Sequence, residues 1–187
     1  MRTKFTSVAI VGVWLLLLWA TFATLGATIN VTSTADSGAG TLRAALASAA
    51  DGDTIDASGV TGTILLTSGE LLVTNSVTIL GPGPANLAVN GNAASRVFHI
   101  APSNTVTIAS LTITNGRADA GGSIYTGPGA LTVSNCTLSG NSATNGRGGG
   151  IYNYGNAGSA TLTVSTSTLS GNSASVSGAL PEDEPLL

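Results

Sequence analysis

The sequence predicts an all-β protein: a parallel β-helix, or solenoid, of about four to five coils behind a short N-terminal capping helix. Three observations carry this. Leu131 to Asn141, LTVSNCTLSGN, returns at Leu162 to Asn172 as LTVSTSTLSGN, and a looser copy, VTIASLTITNG, fills Val106 to Gly116. Each copy alternates apolar and polar residues, slips by one residue, and alternates again, which reads as strand, bend, strand. The copies start 25 and 31 residues apart, so the chain keeps returning to one place. The third observation is composition: only 8 % of the 187 residues are charged and 25 are glycine, while Val, Ile and Leu recur regularly. Disorder requires too little apolar surface to offset chain entropy, and this chain has enough for a sizeable core in one domain.

Residues 1–27 read as an export signal. Arg2 and Lys4 give a positive start, Val8 to Ala20 is apolar, and small residues lead to a cleavage point near Gly26 or Ala27. The competing reading is an uncleaved membrane anchor, because Val8 to Ala27 approaches the roughly 20 residues that span a bilayer. Either way the remainder is exported, to the cell surface, the outer membrane or the medium. Cys136 is the only cysteine, so no intramolecular disulfide can form. Its column in the aligned copies is Leu111, Cys136, Ser167, an inward position, which makes it a small core filler rather than a nucleophile.

Residues 28–60 form a lid. TINVTSTA is a short strand and Asp36 to Gly40 a turn. Leu42, Ala45, Leu46 and Ala49 then fall on one helical face, with Thr41 as N-cap and Asp51-Gly52 as the stop. So short a helix is marginal alone in water and must lie on the open first coil.

Coils occupy 61–175. Ile64, Leu66, Val73, Val77, Ile79, Phe98 and Ile100 face inward, and Leu87 and Val89 pair in register with Leu111 and Ile113. Between them His99 points outward, a solvated side chain rather than a ligand or base. Inward columns follow: Val106, Leu131, Leu162; Ile108, Val133, Val164; Ile113, Leu138, Leu169. Asn141 and Asn172 share a corner, where Asn and Gly accept left-handed backbone and stacked amides bond from coil to coil. Gly121 to Tyr125 and Gly148 to Tyr152 repeat a glycine corner that feeds an inward Ile. No Lys and helix N-terminus follow, so these glycines cradle no phosphate.

GGSI and GGGI, followed by LSGN and LSGN, resemble the paired GGA-[ILV] and F-x-x-N repeats of the polymorphic outer-membrane proteins, with Leu138 and Leu169 where that family has Phe. The cap, GTLRAALASAADGDTI, is similar to the segment opening many bacterial surface proteins of the pectate-lyase-like superfamily. The resemblance spans roughly residues 28 to 175. It implies the right-handed, single-stranded form of the parallel β-helix and an adhesive surface passenger or a carbohydrate-active enzyme.

Enzymes of that superfamily place carboxylates on adjacent coils, for Ca²⁺ or for acid and base work. Here Asp51, Asp53 and Asp56 belong to the cap and its exit, Glu70 to the first coil, and Asp119 stands alone. A non-catalytic chain without metal or cofactor is the expectation; the alternative is a fragment of a polysaccharide lyase or hydrolase. From residue 28 onward four Arg and no Lys face nine acids, a net charge of −5, which excludes nucleic acid as a partner. A polysaccharide or host-surface ligand fits better. Asn-Gly-Arg at Asn115 to Arg117 and again at Asn145 to Arg147 is expected to set two guanidiniums on one edge of the solenoid. Arg117, Arg147 and Asp119 are therefore the candidate binding residues. Outward columns Thr107, Thr132, Thr163 and Thr112, Thr137, Thr168 resemble the arrays of ice-binding solenoids, although Thr is also a good strand former.

After Asn172 the repeat fails. Residues 176–187 end in PEDEPLL, where two prolines and three acids suit a solvated tail or a truncation point in a longer surface protein. A last coil left open is expected to pair with further coils or to self-associate, and a membrane contact is expected only through the N-terminal signal or a missing C-terminal anchor.

Overall fold

The computed structural model describes residues 26–155 and 158–175; the leader expected over most of 1–27 and the tail of 176–187 lie outside the described residues. The chain forms a parallel β-solenoid of about five turns with one short helix. Every strand pairing is parallel. Each turn passes through a six-strand face, a five-strand face and a four-strand face; the later turns add a short three-strand face.

Because each strand lies beside its counterpart one turn away, inward residues stack like on like. Ile29, Ile55, Ile79, Ile108, Val133 and Val164 form one such column on the six-strand face. Ile64, Val89, Ile113, Leu138 and Leu169 form another on the five-strand face. Leu71, Phe98, Ile124 and Ile151 form a third on the four-strand face. β-Branched side chains suit this pleated packing, and each buried one contributes about 1.5–3 kcal/mol. The expected inward residues of the early coils are buried, including Phe98 and Ile100, as is Leu111 against Leu87. In the last described coil Leu162, Val164 and Leu169 keep the inward register but are 37 %, 41 % and 50 % exposed, because no described coil covers them.

The bend between paired strands is made by Ser110, Asn135 and Thr166, all with positive φ, which accounts for the one-residue slip in the repeat. At the next corner the left-handed residues are Asn115, Gly140 and Gly171. Asn141 and Asn172 instead sit one position later, and their side chains turn inward. Asn141 is fully buried; its Oδ1 accepts the Gly116 N–H at 2.8 Å, and its Nδ2 donates to Ile113 O at 3.1 Å and to Asn172 Oδ1 at 2.9 Å. The asparagines therefore form the expected coil-to-coil ladder, while the strained backbone belongs to their neighbours.

The cap forms as the sequence predicts, with one correction. The helix α1 spans Leu42–Ser48, and the Thr41 hydroxyl accepts the Ala44 N–H at 3.2 Å. Leu42, Ala45, Leu46 and Ala49 are buried against the first coil. The helix ends at Ala49 in extended backbone rather than at Asp51-Gly52. Asp53 provides the stop, its carboxylate accepting the N–H of Ala50 at 2.8 Å and that of Ala27 at 2.7 Å. On the opposite side Arg43 fastens the helix to the solenoid. It donates to Gly69 O and Glu70 O, each at 2.7 Å, and pairs with Asp36 at 2.6 Å. Asp36 also accepts from the N–H groups of Thr67 and Ser68 and from both hydroxyls. Burial pushes the Asp36 carboxyl up, but the Ser68, Arg43 and Thr67 hydrogen bonds outweigh it and hold the group far below the carboxylate range.

Two stability experiments follow from these contacts. Asn141→Ala strands a buried N–H and a buried carbonyl, and is expected to lower the unfolding free energy by about 2–4 kcal/mol in urea titrations. A carboxyl depressed on folding stabilises the fold above its ordinary value near pH 4 and loses that contribution as pH falls toward the depressed value. The urea midpoint should therefore drop between about pH 4 and about pH 2, and Asp36→Asn should flatten that limb while lowering the midpoint at neutral pH.

Candidate functional site

The outward side of the four-strand face differs from the Thr- and Ser-rich outward sides of the six- and five-strand faces. Period-two alternation puts Leu72, His99, Tyr125 and Tyr152 in one outward column, between the inward stacks Leu71 to Ile151 and Val73 to Asn153. The rings run along the solenoid axis. His99 meets Tyr125 edge-on at 5.1 Å, Tyr125 and Tyr152 are tilted at 5.7 Å, and Tyr152 and Tyr154 stack at 5.7 Å.

Charged groups fix one end of this ladder. Glu70 Oε2 receives Arg96 Nη1 at 3.1 Å, and Glu70 Oε1 lies 2.7 Å from His99 Nδ1. Arg96 also donates to the Ala120 and Gly121 carbonyls, and its guanidinium lies 4.8 Å above the Tyr125 ring. His99 is thus outward, as expected, but it is held between a carboxylate and an aromatic ring rather than free in solvent.

At the other end the ladder borders a cleft of about 300 Å³ lined by Asp119, Ala120, Tyr125, Asn145, Arg147, Tyr152 and Tyr154. A bulge and the outward column build it together. Ala118 pairs with Ala143, an offset of 25, whereas Ala120 pairs with Arg147, an offset of 27; the bulge between them places Asn145 and Arg147 at the rim. Tyr125 keeps the offset of 27 to Tyr152, and the Tyr154 N–H donates to Thr126 O at 2.8 Å, so Tyr154 continues the same ladder and, two residues after Tyr152, points outward beside it; only after it does the offset widen, to 31 where Gly129 pairs with Ala160.

Of the residues expected to bind, the cleft brings together Asp119 and Arg147 and leaves Arg117 out. Arg117 pairs with Ser142 at the start of its strand, while Arg147 ends the neighbouring strand opposite Ala120. The two Asn-Gly-Arg copies therefore do not superpose, and the expected pair of guanidiniums on one edge does not form: the first copy spans a corner and the second lies in the bulge. Arg147 takes part in none of the ion pairs among the described residues. Asp119 accepts a weak contact from the Thr144 hydroxyl at 3.4 Å.

The tyrosines are the cleft-lining residues that sequence reasoning missed. Gly121 to Tyr125 and Gly148 to Tyr152 were legible as a corner feeding an inward Ile, and a residue next to an inward Ile must point outward. The change of repeat offset from 25 to 27 to 31 within one pair of coils also marks where residues are inserted.

The remaining features have less chemistry. A hollow of about 420 Å³ lies over the last coil, lined by Ile151, Leu162, Val164 and Leu169; it is uncovered core. Cys136 is buried and free, and burial pushes its thiol up, which keeps it protonated. Among the described residues no three of His, Cys, Asp and Glu converge as metal ligands would. The outward threonine column is longer than the repeat suggests: Thr28, Thr54, Thr78, Thr107, Thr132 and Thr163 are all in register. Compared with family models, with curated proteins and with solved structures, the chain matches none.

Proposed function

We propose that the protein is a secreted or cell-surface solenoid module that binds saccharide in the cleft beside the tyrosine ladder, without turning it over. The cleft is the observation that carries this reading. Phenol rings supply apolar edges and hydroxyls with few side-chain rotors to immobilise, so contact is gained at small entropic cost. Asp119, Asn145 and Arg147 supply an acceptor, a mixed amide and a fork of donors, a set suited to vicinal hydroxyls or a uronate carboxylate. The apolar start of the sequence, with Arg2 and Lys4 before it, supports export. Asp119 is the one carboxylate lining the cleft, whereas glycoside hydrolysis uses two flanking the scissile bond. That favours binding over catalysis and over the reading as a fragment of a lyase or hydrolase.

The test is titration of the chain against neutral and uronate-containing polysaccharides by affinity electrophoresis and calorimetry. Tyr152→Ala and Arg147→Ala should each weaken binding about tenfold or more, and Arg117→Ala should leave it unchanged. Binding untouched by both Tyr152→Ala and Arg147→Ala, in proteins with native circular dichroism, would remove the cleft from consideration. The six-threonine column favours one second reading, ice binding, for which thermal hysteresis and altered ice-crystal shape are the expected signals; their absence ends it.

A further inference from the structure

We infer that the export leader is cut between Gly26 and Ala27 and that the α-ammonium so created pairs with the carboxylate of Asp53. This rests on the leader reading of the sequence and not on the saccharide cleft.

Asp53 is only 7 % exposed, and it belongs to none of the ion pairs among the described residues. A carboxylate so buried is costly without a cation. Its two oxygens are aimed at two backbone nitrogens: Oδ2 at Ala50 N, 2.8 Å away, where it ends the helix, and Oδ1 at Ala27 N, 2.7 Å away. Ala27 N is an uncharged amide while the chain continues upstream. Hydrolysis of the Gly26–Ala27 bond adds the oxygen of water to the Gly26 carbonyl carbon, leaving a carboxylate. The Ala27 nitrogen departs with its own proton, gains two more, and becomes an ammonium at hydrogen-bond distance from Asp53. The export peptidase supplies the catalyst and water the only co-reactant.

Two further contacts place the cut at this bond. Thr54 N–H donates to Ala27 O at 2.8 Å, so Ala27 is the first residue held by the solenoid ladder, and a cut after it would discard that bond together with the Asp53 contact. Before it, a Cβ at position 26 would lie 1.7 Å from Gly52 O, so only glycine fits while the bond is intact. Glycine is also one of the small residues that suit the position before a leader cut.

The full chain expressed with its own leader in an exporting bacterium should yield a mature protein whose N-terminus, by mass spectrometry, is Ala27. In a chain prepared with a free Ala27 amine, that amine should titrate above the roughly 7.7–8.0 of an ordinary α-amine, and Asp53→Asn should return it to the ordinary range. The same substitution should lower the urea midpoint more in this chain than in one that begins at Thr24. A mature N-terminus elsewhere overturns the cleavage point. An amine that titrates in the ordinary range, or an Asp53→Asn effect equal in the two chains, overturns the ion pair. Retention of the leader overturns the cleavage and leaves the export reading standing, since an uncleaved anchor exports the remainder as well; the prepared chain tests the pair independently of either.

Discussion

Register between successive coils is the constraint on which the rest of the molecule depends. In a parallel solenoid each residue has its own counterpart above and below, so any choice made once along the chain is propagated as a column. Ile29, Ile55, Ile79, Ile108, Val133 and Val164 hold that register from inside, and backbone hydrogen bonds hold it from strand to strand. Slipping one strand by a residue would turn an entire inward set to solvent. The tyrosine ladder and the Asn141–Asn172 pair are therefore consequences of core register rather than separate constructions.

A column of like residues also has ends, and the two ends of the described solenoid are treated differently. At the first coil α1 lays Leu42, Ala45, Leu46 and Ala49 on the core, and Arg43 ties it down through Asp36 and two carbonyls. A seven-residue helix has little stability of its own, so those contacts fix its position and not merely its strength. At the last described coil Leu162, Val164 and Leu169 remain partly exposed.

What was legible in the sequence divides along the same line. Inward residues recur with period two inside strands and with the coil repeat between them, so Ile108, Val133 and Leu138 were assigned to the core correctly from their letters. The helix was readable because Thr41 and the spacing of Leu42, Ala45, Leu46 and Ala49 act over one or two turns; its stop was misplaced because Asp53 acts from across the next turn. Arg117 and Arg147 misled because identical tripeptides need not occupy equivalent places once a bulge has shifted the offset. Asp119 and Arg147 were identified, but nothing local to either shows that Tyr125, Tyr152 and Tyr154 converge on them.

The cleft lies where the solenoid departs from its own repeat. A bulge before the strand Ile151–Asn153 brings Asn145 and Arg147, Tyr154 continues that strand's ladder, and Ile124 and Ile151 stay paired in the core. The bulge residues cannot enter the stack, because each inward position is already matched to its counterpart, so they come to the rim. There they meet an outward column whose residues the core does not dictate. Loops tolerate such additions with small loss of stability. A regular core thus leaves chemistry two places to reside, the outward columns and the bulges, and in this molecule the aromatic column of the four-strand face borders the bulge of the three-strand face.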